Sequence, residues 1–585
     1  MLIKALCDYY DIRGNSLPEG YSSIKPDYLI CLTPDGKIGD IVNYQEDVIM
    51  PSRTEIPGIG ANIIEHRCLY IFGLNLANGV FTPNDKTNKA KKSHEDFVNK
   101  NLKFIDGINT PVVNAFREFI LSWNPENETE NVHLKGIEKN YGNAKFVFCL
   151  SGETQTKLHE DVEIKKRWEE NYKRDKSNRA VVLQCAISGE NRPIARIHKK
   201  IRGVTGGQST GTTMVSFNNP SEYSYGNERS YNSAISEEAM NKYTEALNYL
   251  LSSKEHRASL EDITVIFWAM NKGEKCENNF YNLLYGNDSM DDKQTDEMLR
   301  GLIFDASKGK ISSERVSSTE GVDPDVDFYI VGLKPNVGRV AIKFIYRKKF
   351  GDMLMNIAKF QEDLQVSNYI RPVSLWRIKK ELASPKSEDK DINSILLSKL
   401  FEAIIYGTNY PTILLSTVVR RAKTDTDNRL NGVRAGLIKA CINRKSRLLN
   451  QREELTLSLD TNNTNQAYVC GRLFAVLEEL QQQASNNSLN RTIRDTHFAS
   501  ASSRPGVVFP DLLQLAQHHL RKVGENGYFN QTDFNKLIGE IIDKLDGSFP
   551  NNLLLTNQGN FMVGYYQQHQ DFLRQQKNKD KQEDN

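Results

Sequence analysis

The sequence predicts a multidomain α+β protein, with a mixed α/β N-terminal and central region followed by an all-α C-terminal helical bundle. Three observations support this. A chain of 585 residues is longer than one hydrophobic core organises. Short β-branched and aromatic runs mix with helical patterns as far as residue 350. Beyond Phe350 apolar residues recur at i, i+3 and i+4 in one segment after another, each with a polar face.

The opening segment, "MLIKALCDYYDIRG", reads as a helix, and its acidic residues leave no apolar region for a signal peptide. A hairpin follows, "DYLICLT" and "DIVNY" around the turn "TPDGK". The Pro- and Gly-rich "MPSRTEIPGIGANIIEH" excludes regular structure over most of its length and reads as an exposed loop carrying Arg53, Thr54 and Asn62. "CLYIFGLNL" is strand-like, "TPNDKTNKAKKSHEDF" is polar and cationic with the look of a mobile stretch, and "INTPVVNAFREFILSW" is helical. Between residues 140 and 350, "AKFVFCL", "AVVLQCAI", "TMVSFN", "ITVIFWAM", "FYIVGL" and "RVAIKFIY" read as strands. "SEEAMNKYTEALNYLLSS" reads as an amphipathic helix capped by Ser236. The later helices are separated at "LDTNNTNQ", the best linker in the chain. The expected segments are therefore 1–140, 141–350, 351–458, a bundle over 466–577 and a disordered tail over 578–585.

Composition narrows the class. No apolar run reaches the roughly 18–20 residues of a membrane span, so a cytoplasmic protein with no membrane partner is expected. The eight cysteines form no C-x-x-C pair, which signals neither a disulfide framework nor a zinc ribbon. Cys149, His159, Cys185 and His198 echo one another in "CLSGETQTKLH" and "CAISGENRPIARIH", but too widely for a zinc finger. Net charge is only +2, yet twelve Lys/Arg face four Asp/Glu between Ile164 and Arg202. Ten more Lys/Arg lie between Val418 and Arg452. Localised cations of this kind suit phosphate contact, although each cluster alone also describes a solvated helix face.

"HKKIRGVTGGQSTGTTMVSFN" is the segment richest in chemistry. Gly206, Gly211 and Thr213 approach a Walker A spacing, but Thr212 stands where the phosphate-reaching lysine belongs. A Gly-rich turn and a loop whose N–H groups hold a nucleic-acid backbone both remain open. The alternating Asp323, Asp325 and Asp327 would suit a divalent ion on one strand face, but Pro324 interrupts the run and no second ligand set appears. Asp495, Thr496, His497 and Ser500 resemble a triad in composition alone. No catalytic constellation emerges, and the expectation is a non-enzyme.

Together, "SGENRPIARIHKKIRGVTGGQSTGTTMVSFN" and "SYGNERSYNSAISEEAMNKYTEALNYLL" closely resemble the central signature of the Csd family, the large subunit of the type I-C CRISPR Cascade surveillance complex. "SRTEIPGIGANIIEHRCLYIFG", "FYIVGLKPNVGRVAIKF", "VRAGLIKACINR", "FASASSRPGVVFPDLLQLAQHHL" and "GYYQQHQDF" extend the resemblance in order over most of the chain. It implies a non-enzymatic, cofactor-free subunit of a guide CRISPR RNA ribonucleoprotein with backbone and end subunits. Such a subunit recognises the protospacer-adjacent motif on double-stranded target DNA, helps to open the duplex and docks the helicase-nuclease. In that family the helical C-terminal region is also made separately as a small subunit by internal initiation. Here no methionine lies between Met355 and Met562, so that product would need a non-AUG start, near Val469.

Under this resemblance Arg53, Thr54 and Asn62 fall in the part used near the motif duplex, although Asn62 also reads as a cap of a structural loop. Lys199, Lys200 and Arg202 with Gly206, Gly207, Gln208, Ser209 and Thr210 would grip phosphates, Gln208 being a candidate probe between strands. Arg420, Arg421, Lys423, Arg444 and Lys445 would line the path of the displaced strand.

Overall fold

The computed structural model describes residues 1–585 except 15–17, 19, 53–57, 84–87, 180, 286–321, 368–371, 384–393, 426–429, 452–453, 487–488, 524–528 and 584–585. It is a multidomain α+β fold in two compact units. One comprises Met1–Gly203, Gly207–Tyr249 and Asn336–Val340; the other comprises Val204–Gly206, Leu250–Pro335 and Ala341–Asn585.

The first unit contains strands β1 (Tyr21–Ile24), β2 (Tyr28–Leu32), β3 (Ile38–Asn43), β4 (Val48–Pro51), β5 (Asn75–Ala77), β6 (Val80–Thr82), β7 (Phe146–Leu150), β8 (Glu153–Lys157), β9 (Val182–Gln184) and β10 (Asn191–Pro193). Its main sheet has the order β3-β2-β7-β8. The expected hairpin forms β2 and β3, and β2 also pairs in parallel with β7. Every residue of β2 is buried, as its unbroken apolar sequence YLICL requires of a central strand. Pro111 starts the helix Pro111–Ser122, which buries Val112, Val113, Ala115, Phe116, Phe119 and Ile120. Its Phe116 and Phe119 rings lie 4.9 and 5.9 Å from Phe148 of β7. Ser236 caps the helix Glu237–Ser252, accepting the Ala239 N–H at 3.2 Å.

The second unit carries β11 (Arg257–Leu260), β12 (Ile263–Ala269) and most of β13 (Asp327–Asn336) and β14 (Arg339–Lys349), adjacent in that order. Trp268 of β12 stacks on Tyr329 of β13 at 5.1 Å. Helices then dominate from Phe350–Leu364 to Leu555–Glu583. Gln466–Gln483 and Leu555–Glu583 cross at backbone contact. A Cβ on Gly471 would lie 1.9 Å from the Phe561 carbonyl oxygen, and one on Gly564 would lie 2.3 Å from that of Tyr468. Only glycine permits this approach.

Several expectations are corrected. "CLYIFGLNL" is not a strand but begins with the helix Cys68–Phe72, ended by Gly73 in the left-handed region; short apolar runs carry no period to separate the two states. The cationic stretch after residue 87 is the helix Lys89–Ile105, whose Ala90, Phe97, Phe104 and Ile105 are buried. "TMVSFN" forms no strand: Thr213 makes an isolated bridge to Arg339, and the Arg339 guanidinium then ties down Ser216 and Glu222. One apolar cluster includes residues from Ala258 to Phe572, on both sides of "LDTNNTNQ". Helix also continues to Glu583, through most of the expected tail.

Replacing Gly471 with Ala is expected to destabilise the second unit by about 1–3 kcal/mol, read from its denaturant midpoint, because the colliding atom belongs to backbone. Gly539→Ala, in the helix Gln531–Ile542 with nothing near its Cβ, is expected to leave the midpoint unchanged or raise it slightly.

Candidate nucleic-acid interface

The Gly-rich loop is closed by a reciprocal pair. Ile201 N–H donates to the Thr212 carbonyl at 2.7 Å, and Thr212 N–H donates to the Ile201 carbonyl at 2.8 Å. Thr212 is fully buried, and its hydroxyl also bonds the Ile201 carbonyl at 3.4 Å. Gly211 sits at φ +92°, where a Cβ would press on Lys200 and Ile201 at 3.0 Å. No helix follows the loop; the next helical turn is the short Pro220–Glu222. The strand–loop–helix context of a triphosphate site is thus missing together with its lysine.

This closure sorts the cations. Lys199 is half-buried and pairs with Glu245 at 3.7 Å, so it serves the fold. Lys200 reaches only the Thr210 hydroxyl, at 3.4 Å, and Arg202 is exposed with its backbone N–H on Asn248 Oδ1. Gln208, Ser209 and Thr210 are exposed around the tip. Gly206 belongs with the second unit, where the Thr205 N–H donates to Thr264 Oγ1 at 2.9 Å and Arg257 donates to Thr205 Oγ1 at 2.8 Å.

The second predicted element is not an exposed loop around Asn62. Arg53 and Thr54 lie outside the described residues, and Asn62 is only 6% exposed. The reason is Glu65, a fully buried carboxylate. It accepts the N–H groups of Asn62, His66 and Arg67 at 2.9 to 3.1 Å, the Asn62 amide at 3.4 Å and the Arg67 Nε at 2.8 Å. Asn101 closes the loop from the neighbouring helix, accepting the Ile64 N–H and donating to the Asn62 carbonyl. Burial pushes the Glu65 carboxyl up, but the Arg67 hydrogen bonds, the neighbouring charges and the Asn62 N–H hold it below the ordinary carboxylate value.

The braced loop places charges that the sequence did not single out. Arg67 forms an isolated bridge with Lys145, and Phe146 N–H donates to the His66 carbonyl. Burial, followed by the Arg202 charge, holds the Lys145 ammonium below its ordinary value despite Asp27 and Asp47. Burial takes His66 down to about 4, with Arg67, Lys145 and Arg202 adding to the shift, so the ring is neutral at pH 7. The Arg202 charge therefore reaches both Lys145 and His66, while the Arg67 charge is met by the buried Glu65 carboxylate. No linear signal marks Lys145 and His66; strand pairing brings them together.

A family model described as a CRISPR-associated protein, Cas_Csd1, matches residues 6–573. The chain belongs to the Cas_Csd1 family. No curated protein matches it. In this Cas_Csd1 chain the remaining candidates divide by burial. Arg420 and Lys445 are exposed. Arg421 is 7% exposed and pairs with Asp425 at 2.8 Å, which Arg434 also holds. Arg444 is 4% exposed, lies over the Tyr410 ring and donates to its hydroxyl at 2.7 Å. Lys423 is bound by Ser503 and Gln558. These three cations cement helices, so the five do not form one strand-facing row.

The alternative chemistries find no assembled site among the described residues, where no group of His, Cys, Asp or Glu is placed to hold a metal. Asp327 is held by Arg347 and Lys349. Cys149 contacts Cys31 at 3.3 Å, whereas Cys185 accepts the Ile187 and Ser236 N–H groups and His198 meets the Tyr243 hydroxyl. Asp495 caps a helix, and Ser500 donates to the His497 carbonyl. No described helix is long and apolar enough to cross a membrane.

Glu65→Gln is expected to destabilise the first unit by about 3 kcal/mol at pH 7, because it strips the Arg67 ion pair of its buried acid. With a folded pKa below its unfolded value, Glu65 contributes this above pH ~4.3 and loses it as pH falls through the folded pKa. Denaturant midpoints of the two proteins are expected to converge in acid.

Proposed function

We propose that the chain is the large subunit of a type I-C CRISPR RNA-guided surveillance complex. In this reading it is a non-enzymatic, cofactor-free component that reads the protospacer-adjacent motif on duplex DNA, assists opening and recruits the helicase-nuclease. Family membership over nearly the whole chain supports a place in a guide-RNA complex. The observation that carries DNA contact is the closed Gly-rich loop, which presents Lys200 and Arg202 with no carboxylate partner among the described residues, the Arg202 charge reaching Lys145. Lys200 and Arg202 act as backbone contacts, and Gln208 at the exposed tip is the group available to probe the duplex. Asn62 acts through loop geometry rather than base contact.

A second reading, a bridging subunit without DNA readout, rests on the ribbon of β9 and β10, where Val181, Val182 and Leu183 are 40, 54 and 36% exposed and suit a protein neighbour. A separate small subunit starting at Val469 would lose Asn465, which caps Gln466–Gln483 through the Ala467 and Tyr468 N–H groups.

Alanine at both Lys200 and Arg202 is expected to weaken duplex binding by the assembled complex at motif and non-motif sequences alike. It should also flatten the slope of log K against log salt by about 2. Lys199→Ala is expected to leave that slope unchanged. Equal slopes for wild type and the double variant would remove the loop from the DNA contact.

A further inference from the structure

The second unit contains a cavity of 610 Å³ that no part of the proposed function uses, between the β11–β12 hairpin and the helices Lys275–Tyr285, Leu375–Leu382 and Ser394–Tyr406. Its volume falls among small-ligand sites, roughly 300–1,000 Å³. Four features of its lining point to one ligand chemistry. Trp376 is 54% exposed, an unusual state for an indole, and Lys380 lies 5.5 Å from its ring. Among the described residues Lys254 has no carboxylate partner, and Arg257 bonds only the Leu251 carbonyl and the Thr205 hydroxyl, so both keep their charge available. The Tyr285 hydroxyl is buried with no hydrogen-bond partner among the described residues. Glu261 gives one carboxylate oxygen to Lys379 at 2.8 Å and leaves the other, Oε1, buried and unpaired among the described residues.

Glu261 occupies the two-residue hairpin turn between Leu260 and Ile263 at φ +55°, the left-handed conformation such a turn requires, which fixes its side chain at the cavity. A flat indole, two cations without acidic partners, an unpaired acceptor and an unpaired hydroxyl are together the requirements of a nucleotide: stacking for the base, charge for its phosphate and an edge contact for identity.

We propose that this cavity takes one unstacked nucleotide of a single DNA strand, with its base on Trp376, its phosphate on Lys254 and Arg257, and an exocyclic amino group donating to Glu261 Oε1. Cytosine, whose N4 amino group suits a carboxylate acceptor, is preferred over thymine, which offers a carbonyl there. The choice of a DNA strand rests on the DNA-binding reading above.

The test uses the full chain, with short oligodeoxycytidine, oligothymidine and dCMP as probes. Oligodeoxycytidine is expected to quench tryptophan fluorescence in the wild type and not in Trp376→Phe. Trp376→Ala is expected to weaken its binding by about five- to 150-fold, the worth of one base–aromatic stack. Glu261→Gln is expected to erase the preference for cytosine over thymine while the thermal midpoint is retained. Unchanged affinity in Trp376→Ala would overturn the site, and equal wild-type affinity for the two oligonucleotides would overturn the edge contact. Binding of dCMP as tight as that of the oligonucleotide would overturn the strand in favour of a free nucleotide. The Lys200 and Arg202 double variant separates this from the wider reading: if it binds duplex normally while Trp376→Ala loses the oligonucleotide, the backbone clamp fails and the cavity stands.

Discussion

Everything distinctive about the candidate interface depends on the two hydrogen bonds exchanged between Ile201 and Thr212. They close the Gly-rich loop and bury Thr212, and at Gly211 they require a conformation with no room for a side chain. They also decide the chemistry. No helix starts at the end of this closed loop, so its N–H groups are not aligned by a helix start and it does not form a triphosphate cradle. What it does is divide three neighbouring cations, turning Lys199 toward Glu245 while Lys200 and Arg202 meet no acid among the described residues.

A second constraint supplies the facing surface. Burying Glu65 would be costly without partners, and the chain satisfies it with backbone N–H groups and one guanidinium. That arrangement fixes the path of residues 60–67 and sets Arg67 beside Lys145. Folding thereby brings the Arg202 charge within reach of Lys145, a proximity that counting cations along a chain of net charge +2 does not reveal.

Much of the architecture was legible because periodicity reports burial. The β2–β3 hairpin, the helix Pro111–Ser122 and the long C-terminal helices each follow from apolar spacing and end signals. Cys68–Phe72 was not, since five apolar residues in a row carry no period. Asn62 was placed on an exposed loop because Pro and Gly announce irregular backbone, and irregular backbone is usually at the surface; only the Glu65 network shows otherwise. The cluster around Arg421 and Arg444 misled for a related reason. Counting cations along the chain does not reveal that Asp425 and Tyr410 wait for them in the interior. Lys145 and His66 needed strand pairing to be found at all.

The most direct test of the central claim is the affinity of the guide-RNA complex for a matched duplex, assembled with and without this chain, on targets that do and do not carry the adjacent motif. The account predicts motif-dependent binding when the chain is present and loss of that dependence when it is left out. Equal binding in both assemblies would contradict a recognition role and leave bridging as the better description.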